Sequence, residues 1–355
     1  MKKIIVPTGY MGSGSSAVTD LITEFKTCQN THGAYEYIFL HCPNGLFDLE
    51  DKLLKGNTVV RSDEAIRTFE HQMDKLYSKK FWWVGNYKKI IGEEFKKYTD
   101  EYINSITEFK HDGYYYMHED VNFLMFVKLL IRKPFKILFK NINFKKILKY
   151  KDGMKVSFIT DKEFYDCSKK YIDSIIKIVA KEKENVILDQ FLLPHNLYRI
   201  PNYFEDNLKV IVVERDPRDI FVLNKYIWPK KGLRIPFPLD VHEFCAFYDK
   251  MRKNEKIIDS NNILRIRFED LIYNYDDTLE KVMKLLSLSS SEHINKFKKF
   301  DPKKSIVNTQ IFRDDKYQEE IKIIEEKLDK YLYNFPYRLN NDPNNSVEYD
   351  LEEDK

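Results

Sequence analysis

Two short stretches of this sequence combine residue types that hold anions. The first runs from Pro7 to Ser16, PTGYMGSGSS. It follows the apolar run Ile4-Ile5-Val6 and precedes Ala17, Val18, Leu21 and Ile22 at helical spacing. A strand that feeds a helix through a glycine-serine loop aims several backbone N–H groups, and the positive end of the helix dipole, at one spot. That spot suits a phosphate. The second stretch, Glu214-Arg215-Asp216-Pro217-Arg218-Asp219, ends the most strand-like run in the chain, residues 208–213. Ligands of an open parallel sheet collect at the carboxyl ends of its strands, so two arginines at a proline turn there suggest a second anion site. A further apolar run, residues 185–188, ends in Asp189-Gln190, and His195 follows in Leu-Pro-His-Asn. Asp189, Gln190 and His195 thus fall at a neighbouring strand end, where a histidine can take a proton or serve only the turn.

The loop admits several readings. Gly9, four residues, then Gly14-Ser15-Ser16 has Walker A spacing, but Ser15 stands where the phosphate-reaching lysine belongs. Gly12-Ser13-Gly14-Ser15-Ser16-Ala17 satisfies the dinucleotide fingerprint G-x-G-x-x-A, with Glu36 about where a ribose-binding acid would lie. Against that, Pro7 ends the strand and four residues intervene before Gly12. A helix start capped by serines needs no ligand at all. Phosphate binding is preferred because a loop this rich in glycine and serine is costly to order alone.

These groups need a sheet to hold them, and the chain is long enough to build one. Its 355 residues are 43% hydrophobic and 15% aromatic, enough for a large core in one elaborated domain or at most two. Net charge is only +3, so no global nucleic-acid field is implied. Four cysteines, at 28, 42, 167 and 245, show neither disulfide-scaffold nor metal-site spacing, which fits a reducing compartment and no metal. The N-terminus enters a strand with no apolar signal region, so a cytoplasmic location is expected.

Residues 35–40 read as a second short strand or strand edge and 262–267 as a last strand. Between them, about 48–185 is mostly helical in period and exceeds a normal crossover, so it reads as a mainly helical insertion. One of its helices is expected to carry Ser62 as cap, with Ala65, Ile66, Phe69, Met73 and Leu76 on one face. Within the insertion, 121–151 carries nine lysines and arginines and no acid. Its apolar run is too interrupted to span a bilayer. It could lie on one, at the inner face of the membrane, or its lysine stems could cover a core. Residues 340–355 are acidic and lack core formers, as a disordered tail does.

Taken together, the Ser13-Gly14-Ser15-Ser16 string, VIVVERDPRDIF and ILRIRFEDLIYNYDDTLEKVMKLLSL resemble the sulfotransferases that use 3′-phosphoadenosine 5′-phosphosulfate (PAPS), over roughly residues 1–40 and 185–315. The resemblance implies a three-layer α/β domain over 1–339, with a P-loop NTPase-like central parallel sheet and the helical insertion. It also implies PAPS as sulfuryl donor and a hydroxylated acceptor, expected here to be a glycan or glycolipid. The loop Gly12, Ser13, Gly14, Ser15 and Ser16 would take the 5′-phosphosulfate and Arg215 the 3′-phosphate. Asn224 stands beside the position of a serine common in the family, and FDPKKSIVNTQIF resembles its cofactor loop, bringing in Lys304 and Ser305. Glu36 matches the placement of a glutamate that serves as general base in some members, with His195 as second candidate. Gly12 and Met11 stand where many members carry a cation before the loop string, so Lys225, Arg218, Arg313 or the pair Lys303-Lys304 must substitute, or activity is altered. A P-loop phosphotransferase and a catalytically inactive binding protein remain the alternatives.

Overall fold

A strand at Lys3–Gly9 (β1) forms the centre of a five-stranded sheet, joined by β2 (Cys28–Gln29), β3 (Asn185–Ile187), β4 (Leu208–Glu214) and β5 (Ile263–Arg267). The order is β2-β3-β1-β4-β5 and every pairing is parallel. Successive strand residues face opposite sides, and Ile4, Ile5, Val210, Ile211, Val212 and Val213 are all buried. Both faces are therefore covered, which is why these strands read as unbroken apolar runs. On one face the helices Ser15–Thr23 and Tyr275–Leu286 set Val18, Leu21, Ile22, Leu279 and Val282 against Ile5, Ile211, Val213 and Ile266. A second core joins the helices Pro217–Val222, Val241–Lys253 and Gln318–Lys327 through Phe221, Phe244, Tyr248, Ile321 and Ile324.

The expected α/β class, with a central parallel sheet and helices about it, is what this computed structural model contains. It describes residues 3–29, 35–81, 84–111, 123–124, 126–127, 130–131, 153–181, 185–233, 235–339 and 341. The expected tail lies outside these residues, apart from Asn341, as does most of 121–151. Two compact units divide the chain: Met1–Ile38 with Lys177–Lys355, which holds the sheet, and Phe39–Ile176. The second unit thus begins and ends about nine residues before the limits expected for the insertion.

Within the second unit, the helices Leu46–Leu54, Val59–Ser78 and Glu94–Ile106 surround an aromatic core in which Tyr102 and Tyr171 stack at 4.8 Å. The face expected on Val59–Ser78 is buried at Ala65, Ile66, Phe69, Met73 and Leu76, but Ser62 is not its cap. Thr58 is the cap, accepting from the Arg61 N–H at 3.2 Å. Ser62 lies inside the helix, donating to the Ser157 carbonyl at 3.1 Å and accepting the Ser157 N–H at 2.7 Å.

The strand expected over 35–40 also differs. The paired strand is Cys28–Gln29, and Glu36 makes a single parallel bridge to Asp189. Beyond it the Phe39 and Leu40 carbonyls accept the Leu46 and Phe47 N–H groups at 3.1 and 2.9 Å, so this backbone caps the first turn of the Leu46–Leu54 helix instead of pairing as a strand.

Candidate active site

The turn after β1 is shaped by close approach. A side chain on Gly9 would place its Cβ 2.2 Å from Ser13 Oγ and 2.5 Å from the Val213 carbonyl oxygen, so only glycine fits between β1 and β4. Gly14, with φ +84°, is the N-cap of the Ser15–Thr23 helix, and a Cβ there would meet the Phe268 ring at 2.7 Å. Gly12, at φ +77°, has Trp228 equally near. Phe268 and Trp228 thus press on the loop backbone and hold its shape. The helix has no side-chain cap and no acid in its first turn. First-turn N–H groups have no intrahelical partner, and the buried Ser13 hydroxyl has no hydrogen-bond partner among the described residues. These donors and the helix dipole suit an anionic oxygen cluster.

Strand order sets the neighbours of that loop along the carboxyl rim. On one side is the end of β3, where the Gln190 N–H donates to the Pro7 carbonyl at 3.1 Å. Gln190 has φ +51°. Its amide accepts from the Thr8 hydroxyl at 3.1 Å and donates to Ser15 Oγ at 2.9 Å, linking β3 to the loop. Beside it Asp189 bridges to Glu36, and the Asp189 carbonyl accepts the Tyr37 N–H at 3.2 Å. Burial, and next the Glu36 carboxylate, push the Asp189 carboxyl up to about 7. The neighbouring carboxylate and the lost hydration both make ionising Asp189 more costly than for an exposed aspartate.

On the other side is Arg215, 6% exposed. Its Nη1 donates to the Gly12 carbonyl at 3.1 Å, its Nη2 to the Asn308 carbonyl, and its guanidinium lies 4.8 Å from the Phe268 ring centre. Arg215 therefore ties the loop to the segment after Pro302–Ser305. Arg218 points elsewhere: it clasps Asp216 at 2.8 and 3.0 Å, pairs with Glu325 at 2.7 Å and lies 4.2 Å from the Phe312 ring centre. Asp219 accepts the Gln310 N–H at 2.9 Å. Burial pushes its carboxyl up to about 8, against the pull of the Arg215 charge. Of the two arginines read from the sequence, one meets the loop and one holds the turn.

The structure brings Gly12, Ser13, Gly14, Ser15, Ser16 and Arg215 together, with Glu36 one strand beyond Asp189 on the same rim. Asn224 is fully buried, and its amide is engaged by the backbone of Phe237 and Pro238 at 3.0 to 3.3 Å. Lys304 is exposed and Ser305 half-buried in the short helix Pro302–Ser305, three or more residues before the carbonyl that Arg215 holds. His195 sets Nε2 3.0 Å from the Met251 carbonyl and its ring edge-on to Tyr10.

One network was not read from the sequence. Tyr10 of the loop donates to Glu255, which also binds Arg265. Arg252 lies 4.4 Å from the Tyr10 ring centre and donates to Glu214 at 2.7 Å. Its directly bonded members are up to 245 residues apart, and no local spacing marks them.

No family model matches the chain, and no curated protein matches it. Among solved structures it is similar to the sulfotransferase domain from the curacin biosynthetic pathway, at 11% identity over 85% of this chain and 79% of that one, with a TM-score of 0.35. It is also similar to sulfotransferase STF9 from Mycobacterium avium, at 11% identity over 95% and 78% of the two chains, with a TM-score of 0.36. Likeness at this level assigns no activity, and a functional reading has to come from the site.

Proposed function

We propose that this chain transfers a sulfuryl group from PAPS to the hydroxyl of a glycan or glycolipid. The supporting observation is the Arg215 guanidinium. It comes from the strand next to β1 and touches the loop carbonyl of Gly12 at 3.1 Å, so a fixed cation stands beside an uncapped helix N-terminus. A nucleotide phosphorylated at two positions is the ligand such a pair of anion sites fits. In this reading the main-chain N–H groups of Gly14, Ser15 and Ser16 and the Ser13 hydroxyl hold the 5′-phosphosulfate end, and Arg215 takes the 3′-phosphate. Gln190 orients Ser15.

The acceptor oxygen forms its bond to sulfur as the bond from sulfur to the phosphate oxygen breaks, releasing 3′-phosphoadenosine 5′-phosphate. Positioning and charge stabilisation carry most of such a transfer, as in phosphoryl transfer. Glu36 takes the acceptor proton, and Asp189 beside it, its carboxyl held up to about 7 by burial, adds less negative charge next to the base than an ordinary aspartate would. A phosphotransferase reading is weaker, because the lysine it needs is Ser15, whose hydroxyl accepts from Gln190.

The test is turnover of PAPS on a panel of hydroxylated glycans and glycolipids, with calorimetry of 3′-phosphoadenosine 5′-phosphate beside ATP with magnesium. Glu36→Gln is expected to lower kcat by roughly 10²- to 10⁴-fold with nucleotide affinity retained. His195→Asn is expected to stay within about tenfold, since its Nε2 is engaged by the Met251 carbonyl. The reverse pattern transfers the base to His195. Tight ATP binding without affinity for the 3′-phosphonucleotide overturns the assignment.

A further inference from the structure

Arg215 sends one prong to the Gly12 carbonyl and the other to the Asn308 carbonyl, so its direction depends on where Asn308 is held. Residues Ile306–Asn308 form a single tight turn, a shape used for connectors and too short to hold itself. Its ties come from the C-terminal part of the chain. The Asn341 amide donates to the Ile306 carbonyl at 2.9 Å and to the Thr309 carbonyl at 2.6 Å, one on each side of Asn308. The Thr309 hydroxyl donates to the same Ile306 carbonyl at 2.8 Å. Gln310 follows, fully buried and with φ +55°, a left-handed backbone that persists only where its surroundings fix it. Its N–H donates to Asp219 at 2.9 Å. Its side-chain amide donates to the Tyr337 carbonyl at 2.9 Å and accepts the Leu339 N–H at 3.2 Å. Three alternate residues of one segment, Tyr337, Leu339 and Asn341, thus close on the stretch 306–310.

Upstream, the same segment is anchored on the sheet. Arg267 of β5 donates to the Tyr331 carbonyl at 2.7 Å. At the end of β4 the Tyr333 N–H donates to Asp216 at 2.8 Å, and Arg218 donates to the Tyr333 carbonyl at 3.1 Å. The stretch 331–341 is therefore a strap running from the ends of β5 and β4 to the turn that Arg215 holds. Arg218 and Arg267, which point away from the anion loop, hold the strap. A guanidinium whose two carbonyl partners are both fixed has its rotamer set before a phosphate arrives, so less side-chain freedom is lost on binding. The main-chain N–H groups of Gly14, Ser15 and Ser16 have no such dependence, because they belong to the start of the Ser15–Thr23 helix. Slackening the strap should then weaken the grip on one end of a nucleotide and spare the other.

We infer that Asn341 is a positioning residue for the 3′-phosphate: by pinning the Ile306 and Thr309 carbonyls it fixes Asn308 and so aims Arg215. The inference rests on the reading of Arg215 given above. It is tested on the full chain by calorimetry with 3′-phosphoadenosine 5′-phosphate and with AMP, beside urea unfolding of each variant. Asn341→Ala removes both donors and is expected to weaken the 3′-phosphonucleotide roughly five- to tenfold and AMP less than about twofold. Asn341→Asp keeps the shape but turns acceptors toward two carbonyl oxygens, so its loss should be at least as large. In an Arg215→Lys background, Asn341→Ala should change the ratio of the two affinities by less than about twofold, because the contact it aims is already gone. A structural role alone would lower the urea midpoint and leave that ratio unmoved. A wild-type preference for the 3′-phosphonucleotide that survives in both Asn341 variants overturns the inference and leaves the reading of Arg215 standing. Equal weakening of both nucleotides, or a full additional loss of the ratio on top of Arg215→Lys, also overturns it. Wild-type protein that binds AMP as tightly as the 3′-phosphonucleotide overturns the reading of Arg215, and this inference with it.

Discussion

Replacing Arg215 by lysine keeps the charge and most of the stem but removes the planar fork. In the structure that fork spans the Gly12 carbonyl at 3.1 Å and the Asn308 carbonyl, above the Phe268 ring. In the proposed reading the same guanidinium that braces the loop also grips the 3′-phosphate. Hydrogen bonds from a charged donor contribute about 1.5–3 kcal/mol each. A two-pronged grip reduced to one contact therefore loses about 2 kcal/mol, roughly thirtyfold in Kd. Calorimetry with two nucleotides distinguishes loop damage from the lost phosphate contact. AMP lacks the 3′-phosphate and reports only the loop, so the ratio of the two losses isolates the contact as a cycle does. The expected result is a roughly thirtyfold loss for 3′-phosphoadenosine 5′-phosphate against about threefold or less for AMP. Equal losses for both nucleotides refute the 3′-phosphate contact and leave Arg215 as a brace for Gly12. No loss for either refutes both roles.

Two further outcomes follow from the same rim. Gly9→Ala puts a Cβ 2.2 Å from Ser13 Oγ and 2.5 Å from the Val213 carbonyl oxygen, which should cost about 1–3 kcal/mol of stability in urea unfolding and weaken nucleotide binding with it. A drop in neither would mean that the β1–β4 approach is looser than described. The Asp189 carboxyl stands at about 7 in the folded chain against 3.8 for an ordinary aspartate, so the native state holds the extra proton between those values. Stability is then present at the acid end and falls as pH rises from about 4 to about 7, by up to about 4 kcal/mol. Urea titrations across that range should find the slope reduced in Asp189→Asn, and an unchanged slope would remove Asp189 as its source.

What the sequence revealed of this site is what lies within one strand-loop-helix step. Ile4, Ile5 and Val6 read as a buried strand because both faces of β1 are covered, and Gly12 to Ser16 read as an anion loop because a left-handed N-cap requires glycine at 14. Arg215 was legible for the same reason, standing just past a run of buried β-branched residues. Pairings across the chain were not. The Ser15–Gln190 link spans 175 residues, and nothing local to either residue announces it. Ser62 looked like a helix cap because serine favours that role; its hydroxyl instead meets the backbone of Ser157, 95 residues away. The sequence suggests a strand or strand edge at 35–40, whereas the paired residues are Cys28 and Gln29, too few to carry a pattern.

The cation expected before the loop string has no side-chain substitute among the basic residues that sequence reasoning offered with known partners. Lys225 lies 2.5 Å from Glu320, Arg218 is held between Asp216 and Glu325, and Arg313 donates to Gln310. A unit charge 4 Å from a developing negative oxygen is worth about 4 kcal/mol at an effective dielectric constant of 20, or about a thousandfold in rate. The helix N-terminus supplies roughly half a charge at the same spot, and so roughly half of that stabilisation. Arg215 adds to it from one hydrogen bond beyond Gly12. In the proposed reading, main-chain dipoles and a guanidinium on the next strand supply charge that offsets the leaving phosphate. On this account Arg215 acts on transfer as well as on binding, and its loss should lower kcat in addition to weakening the nucleotide.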